Sequence, residues 1–132
     1  MNASITGLLL FAHGARDPEW ARPFEAVAQS VRARSPGTPV ELAYLELMEP
    51  TLAQAATRLV DAGCTRVDVL PLFLGAGGHV RKDLPRLLQD LCAAHAGVCF
   101  ELHPAVGELP EVVQAMADAA LALLPNKEAS PP

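Results

Sequence analysis

The chain has 132 residues, 51% hydrophobic and 19% charged, with a formal net charge of −5. That length suits one domain, and the apolar share is enough to build a packed core. A net negative chain argues against general nucleic-acid binding, and no stretch approaches the ~18–20 apolar residues of a membrane span.

The first apolar run, Ile5 to Ala12, predicts a buried strand and is followed at once by His13 and Gly14. The opening residues carry no Lys or Arg before Arg16 and only a short apolar stretch, so no secretory signal is expected and the protein is placed in the cytoplasm. Asp17-Pro18 is a helix-start signal, since aspartate accepts a free amide hydrogen bond and proline suits the first helical position. Trp20, Phe24, Val27 and Val31 then form one apolar helical stripe, and Ser35-Pro36-Gly37 stops it.

Val40 to Leu47 predicts a second strand with Glu46 at its end. Glu49-Pro50-Thr51 opens a second helix, with Leu52, Ala55, Ala56, Leu59 and Val60 inward and Gly63 as a left-handed cap. Thr65 to Phe73 predicts a third strand, and its stretch from Val67 reads as an apolar run without polar alternation, as in the buried central strand of a parallel sheet. A glycine-rich turn, Leu74 to Gly78, leads from it to His79. A third helix is expected over Lys82 to His95, with Asp83-Leu84-Pro85 as cap and first turn. Val98 to Leu102 is a fourth strand, and Pro110 to Leu124 a last helix packing through Val112, Val113, Met116, Ala120 and Leu123. Residues 125–132 have little to bury and are expected to be a disordered tail after a single domain over 1–124.

Strict β-α alternation predicts an α/β fold with a four-stranded parallel sheet and helices on both faces. A flavodoxin-like order 2-1-3-4 makes strands 1 and 3 neighbours about 4.8 Å apart, so His13 and His79 leave the sheet at one edge, where open α/β sheets place ligands. Glu46 leaves strand 2 on the other side of strand 1 and joins the same cleft.

Two imidazoles and a carboxylate form an open coordination set for a first-row divalent metal, suited to an ion that reacts or is handed on. Imidazole also accepts protons near neutral pH. Gly75, Gly77 and Gly78 present bare backbone against which a large flat ligand can lie. Arg16, Arg81 and Lys82 flank the histidines and point to an anionic ligand. Asp17 reads as a cap, His95 as a surface residue late in a helix and His103 as structural. Cys64, Cys92 and Cys99 have no metal-ligand spacing and fit a reducing compartment. The glycine loop lacks the Lys-Ser/Thr ending of a phosphate loop.

The motifs LLLFAHGARDP at 8–18, AYLELMEPTL at 43–52, LPLFLGAGGHVRKDLP at 70–85 and GELP at 107–110 resemble the short CbiX/SirB-type sirohydrochlorin chelatases. The resemblance implies a chelatase-like fold and insertion of a divalent metal into sirohydrochlorin, with cobalt first and iron or nickel as alternatives. It implies that His13 and His79 hold the metal and that His13 accepts the proton. Glu46 matches the family's acidic residue, and Leu74, Gly75, Ala76, Gly77, Gly78 and His79 match the tetrapyrrole-contacting loop, with Arg16 and Arg81 as partners for its carboxylates. The metal is then a substrate, and no permanently bound cofactor is expected. Ala15 stands where the family usually has serine, so contact through that hydroxyl is lost.

Relatives often have two lobes, so a homodimer is expected to supply the second. Two other readings remain: a metal or tetrapyrrole carrier that binds without turnover, and a histidine-dependent phosphoryl-transfer enzyme. The latter would want an arginine at Ala12.

Overall fold

The computed structural model describes residues 4–75 and 77–125. Four strands, β1 (Thr6–Ala12), β2 (Val40–Tyr44), β3 (Arg66–Pro71) and β4 (Cys99–Leu102), form one parallel sheet in the order β2-β1-β3-β4, as expected. The helices are α1 (Arg22–Arg34), α2 (Leu52–Asp61), α3 (Gly78–Ala94) and α4 (Pro110–Leu121). Strand alternation divides the core. Leu9, Phe11, Val67 and Val69 pack on one face beneath α2 and α3, through Leu59, Leu84 and Leu88 among others. Leu10, Leu42 and Tyr44 pack on the other face with Ala21 and Ala28 of the α1 segment. Burial holds the Cys64 thiol above its usual range, which fits a small core hydrophobe.

The first helical segment starts at Pro18 as expected, with the Asp17 carboxylate accepting the Glu19 N–H at 3.0 Å. Its first turn, Pro18–Ala21, is a 3-10 turn. Pro23 has no N–H to reach back to Glu19, and the Arg22 N–H bonds that carbonyl instead. Of the expected stripe, Trp20, Phe24 and Val31 pack against the core, while Val27 is 43% exposed and Ala28, 1% exposed, takes the inward place.

The second strand ends at Tyr44, earlier than expected, and 45–50 is a loop. Thr51 and Gln54 then close a capping box on α2, with Gln54 N–H to Thr51 Oγ1 at 3.2 Å and Thr51 N–H to Gln54 Oε1 at 2.8 Å. Gly63 takes φ +96° just past that helix, the left-handed conformation expected of it.

Two helices differ more. α3 begins at Gly78, so Gly78 and His79 belong to its first turn, and Pro85 is interior. Proline removes one interior hydrogen bond, but the buried Leu84, Leu88 and Leu91 run on one face through it and hold the helix together. α4 forms where expected but does not pack as expected: it has no buried residue, and Val113 and Met116 are 51% and 42% exposed. The expected tail falls largely on residues 126–132, outside the described residues.

β3 and β4 carry an ion network on the sheet face opposite α2 and α3. Arg66 bonds Asp68 at 2.8 Å and also Glu101, and His103 Nε2 lies 2.9 Å from Asp68 Oδ1. His103 foremost, with Arg66, holds the Asp68 carboxyl below its ordinary value against the opposing effect of burial. His103 is thus structural, as expected.

A pinned 3-10 turn, Val106–Glu108, leads into α4. Gly107 donates its N–H to Phe73 O at 2.9 Å, and a Cβ there would meet Leu74 O at 1.9 Å. Gly107→Ala should cost on the order of 2–3 kcal/mol, read as a fall of roughly 10 °C in Tm. Asp68→Asn tests the network. Because the folded-state pKa is depressed, the stabilisation is present above the ordinary carboxylate pKa and is lost as pH falls through the folded value. Denaturant titrations should show a deficit of at most about 1 kcal/mol near neutral pH, since the partners are part-exposed. The deficit should close below the ordinary carboxylate range.

Candidate functional site

The site is built on the carboxyl edge of the sheet, where β1 and β2 keep their spacing beyond their ends. Leu45 N–H bonds Ala12 O at 2.9 Å and Glu46 N–H bonds His13 O at 3.1 Å. These two bonds lay the loop carrying Glu46 alongside the residues that leave β1. Gly14 makes the approach possible: it has φ +97°, and a Cβ there would lie 1.9 Å from Glu46 O.

The loop then reverses in one step. Met48 N–H bonds Glu46 O at 2.8 Å around Leu47, whose φ is +64°. That is a γ-turn centred on a residue with a β-carbon, a strained conformation. Its side chain is 59% exposed beside Glu46, so burial does not repay the strain.

His13 Nε2 lies 4.0 Å from Glu46 Oε1, with the two side chains 49% and 54% exposed. The structure brings these two predicted residues together. Behind them stands Phe73, 7% exposed, with its ring edge-on to His13 at 6.1 Å and tilted against Phe11 at 5.9 Å. Leu72 N–H to Phe11 O at 2.7 Å holds that segment beside β1. Sequence reasoning passed over Phe73 as part of the strand. It also passed over Leu47, since no residue type announces an unfavourable φ.

Leu74 follows Phe73 and is 69% exposed. At Gly75, Gly77 and Gly78 an added Cβ would meet nothing within 4 Å among the described residues. Among the described residues no neighbouring part of the fold demands glycine there, and a flat ligand could lie against this bare backbone. Ala76 and the side chain of His79 lie outside the described residues. The expectation that His13 and His79 face each other therefore rests on backbone position: residue 79 is in the first turn of α3, directly after the loop that leaves β3.

The predicted cations are arranged unevenly. Arg16 is exposed, and Arg81 sits 3.7 Å from Glu108, so it is already paired. Both partners are exposed, and such a pair is weak enough to exchange for another anion.

A half-exposed imidazole and carboxylate this close can share a cation or pass a proton. A tighter group, Asp68, Glu101 and His103, has ligand atoms within 4.8 Å of one another. Arg66 already neutralises both of its carboxylates, which marks it as an ion-pair network.

Known proteins place this geometry in a lineage. The chain is 37% identical over 84 residues to a sirohydrochlorin cobaltochelatase of Methanococcus maripaludis, covering 64% of this chain and 58% of that protein. It is 34% identical over 86 residues to one of Sulfolobus acidocaldarius, covering 65% and 68%. The matched stretch thus spans less than two thirds of the Methanococcus protein. Among solved structures, a putative cobalamin biosynthesis CbiX protein from Marinobacter aquaeolei matches with a TM-score of 0.78 at 35% identity, over 89% of this chain and 95% of that one. The sirohydrochlorin chelatase SirB of Bacillus subtilis subspecies spizizenii, in complex with cobalt, shares the fold with a TM-score of 0.78 at 24% identity, over 90% of this chain and 51% of that one. The model of the CbiX family matches residues 7–122, nearly the whole described chain, and the chain belongs to that family.

Proposed function

We propose that this protein inserts a divalent metal ion into sirohydrochlorin, with cobalt as the first choice and iron or nickel as alternatives. The observation that carries the reading is the pairing of His13 with Glu46 at the sheet's carboxyl edge, beside a glycine loop open to solvent. Metal insertion needs an ion to shed water and two pyrrole N–H groups to lose protons. His13 accepts a proton and, with Glu46, offers nitrogen and oxygen donors to the incoming ion. Leu74, Gly75, Ala76, Gly77 and Gly78 supply the shelf for the macrocycle, and His79 the second imidazole. Arg16 receives a macrocycle carboxylate, as does Arg81 once it leaves Glu108.

The metal is substrate, and no permanently bound cofactor takes part. The protein works in the cytoplasm, a compartment in which Cys64, Cys92 and Cys99 remain free thiols. It works as a homodimer, because His13 and Glu46 are half-exposed on one copy and a macrocycle needs a second wall.

The reading is tested by mixing sirohydrochlorin with Co²⁺, Fe²⁺ or Ni²⁺ and following visible absorption. His13→Ala should lower the catalysed rate by about 10²–10⁴-fold, the usual worth of a positioned proton acceptor, with Tm nearly unchanged because the side chain is half-exposed. If His13→Ala matched the wild type, His13 would have no part in the chemistry. If sirohydrochlorin bound with no acceleration for any metal, the protein would be a carrier.

Leu47→Gly separates strain from contact. Glycine relieves the positive φ, so the variant should be at least as stable as the wild type by thermal denaturation. In this reading the exposed Leu47, beside Glu46, forms part of the macrocycle's wall, so the variant should also bind sirohydrochlorin more weakly, with KM raised severalfold.

A further inference from the structure

We infer that the outer edge of β2, between α1 and α2, is a binding site for a short zwitterionic peptide of two or three residues. The inference does not rest on the metal-insertion reading and uses none of the residues assigned to it.

The backbone of β2 supplies the first part of the site. This strand is an edge of the sheet, paired with β1 on one side only. In an extended strand, successive residues send their amide groups to alternate sides. The Leu8 N–H bonds Pro39 O and the Leu45 N–H bonds Ala12 O, so the odd-numbered residues of this stretch face β1, and Val40, Leu42 and Tyr44 face outward. The rungs at both ends are closed. Arg32 donates Nε and Nη2 to Val40 O, at 3.3 and 2.8 Å. The Tyr44 N–H bonds Pro50 O at 2.9 Å. Leu42 stands between them, its outward N–H and C=O unpaired among the described residues. A strand added to this edge would need several successive rungs, and only one is open. A ligand with one or two amides fits that single rung.

A groove of about 240 Å³ runs along the edge, with Leu42 and Tyr44 in its wall. That is below the ~300–1,000 Å³ of clefts for drug-sized ligands, so its occupant is small. Tyr44 is only 5% exposed, and its hydroxyl has no hydrogen-bond partner among the described residues and keeps its contact with solvent in the groove. Burial, and then the neighbouring Glu25 carboxylate, push this phenol above its usual range, so it stays a neutral donor.

The charges of the groove are graded along the strand. At the Val40 end stand Arg32, with Nη1 left over, and Arg58, whose Nη1 meets Glu41 at 3.2 Å. At the Tyr44 end stand Glu25 and Glu49. A peptide laid along β2 therefore meets a cationic end, an open amide rung and an anionic end. Its carboxylate answers the arginines, its amide answers Leu42 in both directions, and its ammonium answers Glu25 and Glu49 with the Tyr44 hydroxyl beside them. Val40 to Tyr44 spans about 13 Å, and the long Arg and Glu side chains closing in from both ends leave a span suited to the about 7–11 Å of a di- or tripeptide. Once Glu41 is set against Arg58, two carboxylates face one guanidinium, so the ammonium is the stronger anchor and a purely anionic ligand is repelled.

The test is a ¹H–¹⁵N NMR titration of the full chain with trialanine, with no metal or tetrapyrrole present. Saturable shifts should centre on the amides of Leu42, Tyr44 and Glu49, with a Kd in the millimolar range. N-acetyl-trialanine should bind at least tenfold more weakly, and trialanine amide, which keeps the ammonium, only severalfold more weakly. Glu25→Gln should raise the Kd for trialanine about fivefold without changing Tm, because Glu25 is exposed. No shift at Leu42 up to the solubility limit of trialanine overturns the site. Equal affinity for the free and acetylated peptides overturns the assignment of the anionic end. Free glycine moving the same amides with the affinity of trialanine shows exchange of ions at surface charges, and overturns peptide recognition. A seven-residue peptide binding at least tenfold tighter than trialanine shows strand addition and overturns the single-rung site.

Discussion

The hydrogen bonds that continue the β1–β2 spacing past the ends of the strands decide where the chemistry lies. A parallel pair holds its strands at a fixed distance, and the bonds from Leu45 to Ala12 and from Glu46 to His13 carry that distance two residues further. The Glu46 carboxylate therefore stands beside the His13 imidazole through backbone geometry, although neither side chain is buried. Gly14 is the condition for this. Its left-handed φ and missing side chain let the two backbones touch where any other residue would force them apart. The strain at Leu47 follows from the same arrangement, because the loop must turn back within one residue to reach Thr51 and open α2.

Most of the sheet was legible because alternation of apolar runs with helical stripes leaves few topologies, and the order β2-β1-β3-β4 is among them. The pairing of His13 and Glu46 was legible for the same reason, even though β2 stops at Tyr44, because strand order fixes the neighbours of β1 whatever the exact ends. Local signals misled where a stronger tertiary effect opposed them. Pro85 reads as a first-turn proline, yet the buried leucines on either side hold α3 through it and draw Gly78 and His79 into the helix. Val27 reads as core by spacing, but Ala28, four residues after Phe24 and three before Val31, takes the inward place on the same face. For α4 the helix itself was read correctly, but the packing expected through Val112, Val113, Met116, Ala120 and Leu123 is not found, since periodicity says only that a face must be covered. It does not say by what.

Charge is distributed in keeping with this division. The network of Arg66, Asp68, Glu101 and His103 satisfies its members on the β3–β4 face, where each carboxylate has a donor. At the carboxyl edge the pattern reverses. His13 and Glu46 stand at the limit of an ion pair, and Arg81 is held only by an exposed glutamate. Groups satisfied by one another are poor ligands, since a newcomer must first displace a partner. Loosely engaged groups at the end of a rigid sheet bind at little cost in reorganisation, and little stability is lost when they are changed.

The turn at Val106–Glu108 ties the two regions together mechanically. It takes a hydrogen bond from Gly107 to the carbonyl of Phe73, the residue whose ring backs His13, and it presses on the backbone of Leu74, where the glycine loop begins. The same turn sets the direction in which α4 leaves the body. The turn therefore joins the exit of α4, on one side of the sheet, to Phe73 and Leu74 at its carboxyl edge by direct backbone contact.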